Sequence, residues 1–278
     1  MTALAVVLLL VLLVAVLLVA RQGSLIFFPD RTLHAEPSQY GLSAESLSLT
    51  TAGGATLRGW WIRGAGHTAL LYFHGNAGNI GDRLERTKLL VNELGLDVFL
   101  VDYRGYGSSG GSPTEAGLYA DGLAVYGAAV ARGFPANGIV PFGESLGGAV
   151  ALETALRRQC AGLILEAPFL SVAAMARRYY PWIPSFLVRL RFDNGEKIPN
   201  VPVPKLIAQA EHDEVVPPSQ TRRLFELAAP PKVYFVIPGA THNDTYGAGG
   251  RAYLEAWKHF LDLVARTDSP GQIAPEIR

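Results

Sequence analysis

Six short apolar runs, separated by segments with helical spacing, constrain the fold of this chain more than any other feature. The runs cover residues 68–73, 98–101, 138–142, 162–165, 205–208 and 233–237. Short, continuously apolar runs are typical of strands that are covered on both faces. Strands that alternate with helices predict an α/β fold with a mostly parallel sheet and helices on both of its faces.

The segments around these runs complete the predicted order of elements. Residues 47–50 alternate in polarity and are followed by a turn and a returning strand at 56–62, which predicts an antiparallel hairpin before the parallel part of the sheet. Thr114 is the predicted N-cap of the second helix. The predicted helices cover residues 84–94, 114–132, 146–158, 219–227 and 246–264.

The N-terminus carries an unbroken run of Ala, Val and Leu at residues 3–20. A helix of this length spans ~27 Å, close to the ~30 Å hydrocarbon core of a bilayer. We therefore predict a transmembrane anchor at residues 1–21 that contacts the lipid bilayer through residues 3–20. Two alternatives are weaker. A cleaved signal peptide would have a positively charged start and a small-residue cleavage site, and a buried soluble helix would have a polar stripe.

The charge pattern limits the partners of the chain and bears on its membrane side. Arg21 and Arg31 follow the apolar run with no charged side chain before it, which by the positive-inside rule favours a cytoplasmic domain. Two arginines are too few to decide, so the side of the membrane stays open. The 24 basic and 24 acidic residues cancel, and this balance gives no electrostatic reason to expect nucleic-acid binding.

Cysteine and histidine spacing gives no indication of a metal site. Cys160 is the only cysteine, which excludes an intrachain disulfide and a cysteine-based metal site. We expect it to be a buried structural thiol beside the strand at 162–165. The sequence also lacks a His-Glu-x-x-His pattern.

One connection, after the strand at 162–165, is far longer than an ordinary crossover. It is rich in aromatic residues, and residues 167–199 hold five basic side chains against two acidic ones. We predict that it forms a short lid at about residues 167–203. The predicted organisation is an anchor at 1–21, a connector at 22–44, a main domain at 45–266 that contains the lid, and a flexible tail at 267–278.

The strongest local motif is Gly143-Glu144-Ser145-Leu146-Gly147, which matches G-x-S-x-G. It lies between a predicted strand and a predicted helix, as a nucleophile turn requires. A sharp turn there would expose the hydroxyl of Ser145 above the sheet, and the small residues on each side would let neighbouring elements pass closely. The pattern predicts that Ser145 is a catalytic nucleophile.

A serine nucleophile needs a base, and the base needs an acid partner. Of the six histidines, His242 lies in a loop after the last strand, at the edge of the sheet where Ser145 is expected. Asp213 follows the preceding strand, which gives the chain order Ser, Asp, His of this motif class. We predict the catalytic set Ser145, Asp213 and His242, with Glu166 as a second-choice acid.

The negative charge of a tetrahedral intermediate needs hydrogen-bond donors, usually backbone amides. One predicted donor is the amide of Leu146, the residue after the nucleophile. The other is the amide of Asn76, in the His-Gly-Asn turn that follows the strand at 68–73. His74 is expected to be structural, and Asp102 is expected to pair with Arg104 at the rim of the pocket.

These segments together resemble the α/β-hydrolase family. They are similar to its single-pass membrane branch, which includes depalmitoylase-like and serine aminopeptidase-like proteins. The matching segments are His74-Gly75-Asn76-Ala77-Gly78-Asn79, Asp102-Tyr103-Arg104-Gly105-Tyr106-Gly107, Gly143-Glu144-Ser145-Leu146-Gly147-Gly148, His212-Asp213 and His242-Asn243-Asp244. The resemblance implies an eight-stranded sheet, a serine nucleophile and no cofactor, with acyl esters or thioesters as substrates.

The sequence leaves three functions to compare. Aromatic and apolar lid residues suit an acyl or lipid-like substrate, and lid arginines suit an anionic head group. A serine aminopeptidase is an alternative, but it would need acidic groups to bind the α-ammonium of its substrate, and the lid has few. A non-catalytic binding protein on the same fold is the third possibility, but it would have no need of all three catalytic residues.

Overall fold

The computed structural model describes residues 3–267, and the predicted tail at 267–278 falls almost entirely outside them. An eight-stranded sheet forms the centre, with the spatial order β1-β2-β4-β3-β5-β6-β7-β8. In chain order the strands are Ala44–Thr50, Thr56–Ile62, Ala69–Phe73, Asp97–Val101, Ile139–Glu144, Leu163–Glu166, Lys205–Ala210 and Lys232–Ile237. The expected number of eight strands is therefore present in the central sheet.

The first two strands pair antiparallel, as the hairpin pattern predicts, and β2 also pairs antiparallel with β4. All the other neighbouring strands are parallel. Parallel strands end at the same edge of a sheet, and ligands of open α/β sheets bind outside these carboxyl ends. The loops after β3, β5, β7 and β8, which carry the predicted site residues, therefore meet at one edge.

Nine helices occur within residues 3–267. They are α1 Ala3–Ala20, α2 Gln22–Ile26, α3 Leu84–Leu94, α4 Glu115–Ala131, α5 Leu146–Arg157, α6 Val172–Tyr179, α7 Asn194–Lys197, α8 Pro218–Leu227 and α9 Thr245–Thr267. Short 3-10 turns lie between several of them. Helix α3 has the predicted bounds because Gly95 after it adopts a left-handed conformation, φ 67°, which ends the helix. Thr114 caps α4, as predicted, by accepting from the amide of Gly117.

Two hydrophobic clusters cover the two faces of the sheet, because successive strand residues point to opposite faces. In β3, Leu71 belongs to one cluster and its neighbour Leu70 to the other. The first cluster includes residues of α4, α5 and α8, and the second includes residues of α3 and α9. Helices on both faces bury β3 to β7 almost completely, which explains their mostly apolar sequence, whereas the edge strand β8 is partly exposed.

The N-terminal run forms helix α1 over its whole length, with no charged residue. Over residues 3–267, no helix meets the combined length and hydropathy that a bilayer crossing demands. The transmembrane anchor at residues 1–21 therefore stays a prediction. Between β6 and β7, the predicted lid contains α6, α7 and short 3-10 turns. Cys160 is buried, as expected, and burial raises the pKa of its thiol to about 12.

Candidate active site

Ser145 occupies the turn between β5 and α5 in a backbone conformation that L-residues rarely adopt, with φ 50° and ψ −113°. Its amide donates to the carbonyl of Glu166 at 2.9 Å. A Cβ atom on Gly143 would lie 2.2 Å from the carbonyl oxygen of Gly147, and one on Gly147 would lie 2.0 Å from that of Phe73. Close packing therefore requires both glycines, and the strand–turn–helix that the motif needs is present.

Asp213 and His242 form a hydrogen-bonded pair at the same edge of the sheet. Nδ1 of His242 lies 2.9 Å from both carboxylate oxygens of Asp213. The Asp213 side chain is almost fully buried, and its Oδ1 accepts the amides of Val215 at 3.0 Å and Val216 at 2.7 Å. These bonds fix the carboxylate, which in turn orients the imidazole. A proton on Nδ1 leaves Nε2 as the basic nitrogen.

Two glutamates beside Asp213 hold the loop that carries His242. The carboxylate of Glu214 accepts the amide of His242 at 3.1 Å, and that of Glu211 accepts the amide of Gly239 at 2.8 Å. Hydrogen bonds from the amides of Glu214 itself and of His242 lower the pKa of the Glu214 carboxyl. Both carboxylates thus help to position His242, a role that the sequence alone does not reveal.

Ser145 and the two predicted oxyanion donors line one cavity of about 270 Å³. Leu146 is the first residue of α5, so its amide has no acceptor within the helix. Asn76 is held from two sides, since its carbonyl accepts the amide of Phe28 at 2.9 Å and the hydroxyl of Tyr106 at 2.8 Å. The structure therefore brings Ser145, Leu146 and Asn76 to one cavity, as the sequence predicts.

The contact between nucleophile and base is the part of the predicted set that the structure does not display. The side-chain hydrogen bonds of His242 go to Asp213, and none within residues 3–267 joins it to Ser145. Catalytic hydrogen bonds often tighten only when substrate is bound. The roles of the three residues stay predictions. Over the same described range, no group of three or more His, Cys, Asp and Glu residues could hold a metal ion.

The predicted pair between Asp102 and Arg104 is wrong. Arg104 binds Asp121 instead, with Nη2 2.7 Å and Nε 2.9 Å from Oδ1. The Asp102 side chain is buried and accepts the amide of Ile80 at 3.0 Å. It also lies 3.5 Å from Nε2 of His74. Because the Asp102 carboxylate is buried among the loops, Arg104 forms its ion pair with Asp121 of α4 instead.

Glu144, the residue before the nucleophile, is the centre of a charged cluster that the sequence did not reveal. One oxygen accepts the amide of Gly75 at 3.1 Å and lies 2.5 Å from Nε of Arg83. The other accepts from Tyr72 at 3.0 Å and from Arg86 at 2.8 Å. Burial by itself would raise the pKa of Glu144, but attraction to the two guanidinium groups outweighs it and lowers the pKa to about 2. The ionised Glu144 side chain thus joins the turn that carries Ser145 to the loop at residues 74–79, the predicted oxyanion loop, which contains Asn76.

Arg86 extends this cluster to the histidine loop. Its Nη1 donates to Glu166 at 2.8 Å, and its Nη2 donates to Thr245 at 2.7 Å. Thr245, three residues after His242, also donates to Glu166, and Tyr253 donates to the second oxygen of that carboxylate at 2.9 Å. Glu166, the second-choice acid, therefore has both carboxylate oxygens bound by Arg86, Thr245 and Tyr253. One sequence signal pointed to Arg86: it lies four residues before Leu90, on the apolar side of α3.

We expect Arg86→Met to destabilise the protein by about 3–5 kcal/mol, because it leaves the buried carboxylate of Glu166 without a guanidinium partner and that of Glu144 with Arg83 alone. Urea unfolding would measure this change. The pKa of Glu144 is lowered in the folded state, so its contribution is present above the unfolded pKa and is lost as the pH falls towards about 2. The destabilisation should therefore be smaller at about pH 4 than at about pH 7.

Arg251→Met is the matched control, since the Arg251 side chain is 91% exposed and its ion pair with Glu255 lies on the surface. It should change the free energy of unfolding by less than about 1 kcal/mol. Equal effects of the two substitutions would show that the buried cluster does not depend on Arg86.

Comparison with known protein families gives a match over residues 65–198 to the family described as serine aminopeptidase, S33. The α/β-hydrolase domain-containing protein WAV2 of Arabidopsis thaliana is 31% identical, and the match covers 90% of each chain. An uncharacterized membrane protein of Saccharomyces cerevisiae is 35% identical, with 81% of this chain and 82% of that protein covered.

A solved structure extends the similarity to the fold. The esterase Pf2001 of Pyrococcus furiosus superimposes with a TM-score of 0.72, over 86% of this chain and 98% of that one, at 18% sequence identity. At this identity the likeness concerns the fold, and the sequence relatives establish the kinship. The chain belongs to the α/β-hydrolase family.

Proposed function

We propose that this α/β-hydrolase is a serine hydrolase that cleaves a carboxylic ester or thioester of an acyl or lipid-like substrate. The observation that carries the proposal is the buried Asp213–His242 hydrogen bond at the edge of the sheet where the strained Ser145 turn opens into a cavity. Strain that the surrounding structure maintains at such a turn is typical of functional sites.

The proposed reaction has two stages. In the first, Oγ of Ser145 attacks the carbonyl carbon while Nε2 of His242 takes the hydroxyl proton, and Asp213 stabilises the resulting imidazolium. The amides of Leu146 and Asn76 donate to the developing oxyanion. His242 then gives its proton to the departing alcohol or thiol, which leaves an acyl group on Ser145. Water then attacks the acyl carbon while His242 takes its proton; the bond to Oγ breaks, His242 returns the proton to Ser145, and the carboxylic acid leaves.

The cavity beside Ser145 supports an acyl substrate. Its walls are mostly apolar, and none of the lining residues in the described part of the chain is acidic. Small-molecule sites of this kind bind the apolar body of a ligand and use a few polar groups to orient it. Arginines of the lid, such as Arg177 and Arg178 at the end of α6, would suit an anionic head group outside the cavity.

A serine aminopeptidase is the second candidate, favoured by the description of the family that matches residues 65–198. Such an enzyme would need an acidic group near Ser145 to bind the α-ammonium of its substrate. The cavity wall offers amide, hydroxyl and apolar groups over the described residues, without a carboxylate. We therefore place ester or thioester hydrolysis first.

We also propose that the apolar helix α1 attaches the protein to a lipid bilayer. The yeast relative described as a membrane protein supports attachment. So does the exposure of the apolar side chains Val6, Leu9, Leu10, Leu12, Leu13, Val14 and Val16. Flotation of the whole chain and of residues 22–278 with lipid vesicles would test it. Equal flotation of the two proteins would contradict attachment through α1.

One substrate panel tests the chemical proposal. Purified protein would be given p-nitrophenyl esters of graded chain length, acyl thioesters and aminoacyl amides, each with wild type and with a catalytically disabled variant. We expect hydrolysis of esters and thioesters that the variant loses. Cleavage of the aminoacyl amides alone would favour the peptidase, and no turnover of any substrate would contradict both enzymatic readings.

A further inference from the structure

The segment just after α1 forms part of the active-site cavity, although it lies far from the catalytic residues in sequence. Gln22, Leu25 and Ile26, all in α2, line the cavity together with Ser145. Lid residues, including Leu187 and Val188, line it as well. The cavity therefore lies between two segments that are both peripheral to the sheet.

Gln22 joins these two segments. Its Oε1 accepts the amide of Arg189 at 2.7 Å and lies 3.3 Å from the amide of Leu190. Its Nε2 donates to the carbonyl of Leu187. One side chain thus binds backbone groups of three lid residues, Leu187, Arg189 and Leu190. Gln22 therefore holds this part of the lid against α2.

The same segment is tied to the oxyanion loop on its other side. The carbonyl of Ile26 accepts from the side-chain amide of Asn76 at 2.7 Å, and Phe28 pairs in parallel with Ala77. Phe27 is buried and its ring packs edge-on against Phe192 of the lid, with centroids 6.1 Å apart. The segment is therefore held at the catalytic end and at the lid end, with the cavity between them.

We propose that Gln22, Leu25 and Ile26 of α2 form one wall of the acyl-binding site and that Gln22 is a specificity-determining residue for acyl chain length. The inference rests on the proposed ester or thioester hydrolysis and names the acyl group as a linear chain of medium length. The cavity of about 270 Å³ lies just below the ~300–1,000 Å³ of pockets that hold drug-sized ligands. An acetyl group contacts only the catalytic end, whereas an octanoyl group reaches the wall made by α2 and the lid.

The kinetic test compares octanoate with acetate p-nitrophenyl esters in Gln22→Ala. The ratio of kcat/KM for octanoate to that for acetate should fall at least about fivefold, mainly through KM, because the lost hydrogen bonds release the lid wall. Ile26→Trp should lower the same ratio by filling the cavity. Ser24→Ala is the control in the same helix, since its exposed hydroxyl donates to the carbonyl of Arg21 and does not line the cavity; its ratio should match that of wild type.

A binding test separates this inference from the proposed chemistry. Calorimetric titration of octanoate into the Ser145→Ala protein, with and without Gln22→Ala, needs no turnover. We expect octanoate to bind, and Gln22→Ala to weaken binding at least about fivefold. If octanoate binds but the wild-type protein does not hydrolyse esters, the result counts against the proposed function and not against the binding wall. Two results together would overturn the inference. They are octanoate binding that Gln22→Ala leaves unchanged, and equal kinetic ratios in the Gln22, Ile26 and Ser24 variants.

Discussion

Ser145→Ala should lower kcat for ester hydrolysis about a million-fold, or ~8 kcal/mol of barrier, which leaves only the rate that binding and the oxyanion donors provide. Alanine has no nucleophile, so no acyl-enzyme can form. A fluorophosphonate probe should label the wild type and leave the variant unlabelled. Because alanine faces the same unfavourable φ of 50° as serine, we expect the melting temperature to change little.

Ser48→Ala is the matched control, because Ser48 is exposed on the edge strand β1, which three strands separate from β5 and the Ser145 turn. It should keep full activity and full labelling. Labelling that persists in Ser145→Ala would assign the reactive serine elsewhere, and a folded Ser145→Ala protein with wild-type kcat would rule out the acyl-enzyme mechanism.

Asp213→Asn should lower kcat about 10⁴-fold while the protein stays folded. The carboxylate requires a proton on Nδ1 of His242, which leaves Nε2 free to accept the serine proton. An asparagine amide can instead donate to Nδ1, which places the proton on Nε2 and blocks proton transfer. Steady-state kinetics on a short-chain ester would measure the loss, which should fall on kcat rather than on KM.

Asp244→Asn is the control variant, since Asp244 lies two residues after His242 and is the acidic residue nearest to it in sequence. Its Oδ1 accepts the amide of Thr241 at 2.6 Å, and asparagine keeps that oxygen. The rate should change by less than about tenfold, as expected for a single peripheral hydrogen bond. A larger loss in Asp244→Asn than in Asp213→Asn would assign the acid role to Asp244.

Most of the fold could be predicted because its local signals agree with its tertiary structure. Helix α3 begins and ends as predicted, since a glycine in the left-handed conformation follows an apolar 3.6-residue pattern. The strands of the parallel sheet were predicted to within a few residues because burial makes most of their residues apolar. The common edge of Ser145, Asp213 and His242 then followed from strand direction alone.

The contacts of charged and polar side chains could not be predicted in the same way. Arg86 meets Glu144 and Glu166 across 58 and 80 residues of chain, and no local pattern specifies such partners. Arg104 binds Asp121 rather than its sequence neighbour Asp102, because the fold turns Asp102 inward. Gln22 reaches lid residues more than 160 positions away, a contact that depends on how two irregular segments pack.

The bond between Glu144 and the amide of Gly75 has a consequence for how this enzyme could diversify. This bond joins the turn that carries Ser145 to the loop at residues 74–79, so we expect a shift of one to be accompanied by a shift of the other. Residues 22–28 bind the same loop through Asn76, but neither they nor the lid contribute a group to the bond between Glu144 and Gly75. Exchange of these two segments together between relatives should therefore transfer substrate preference while the bond-breaking step is conserved.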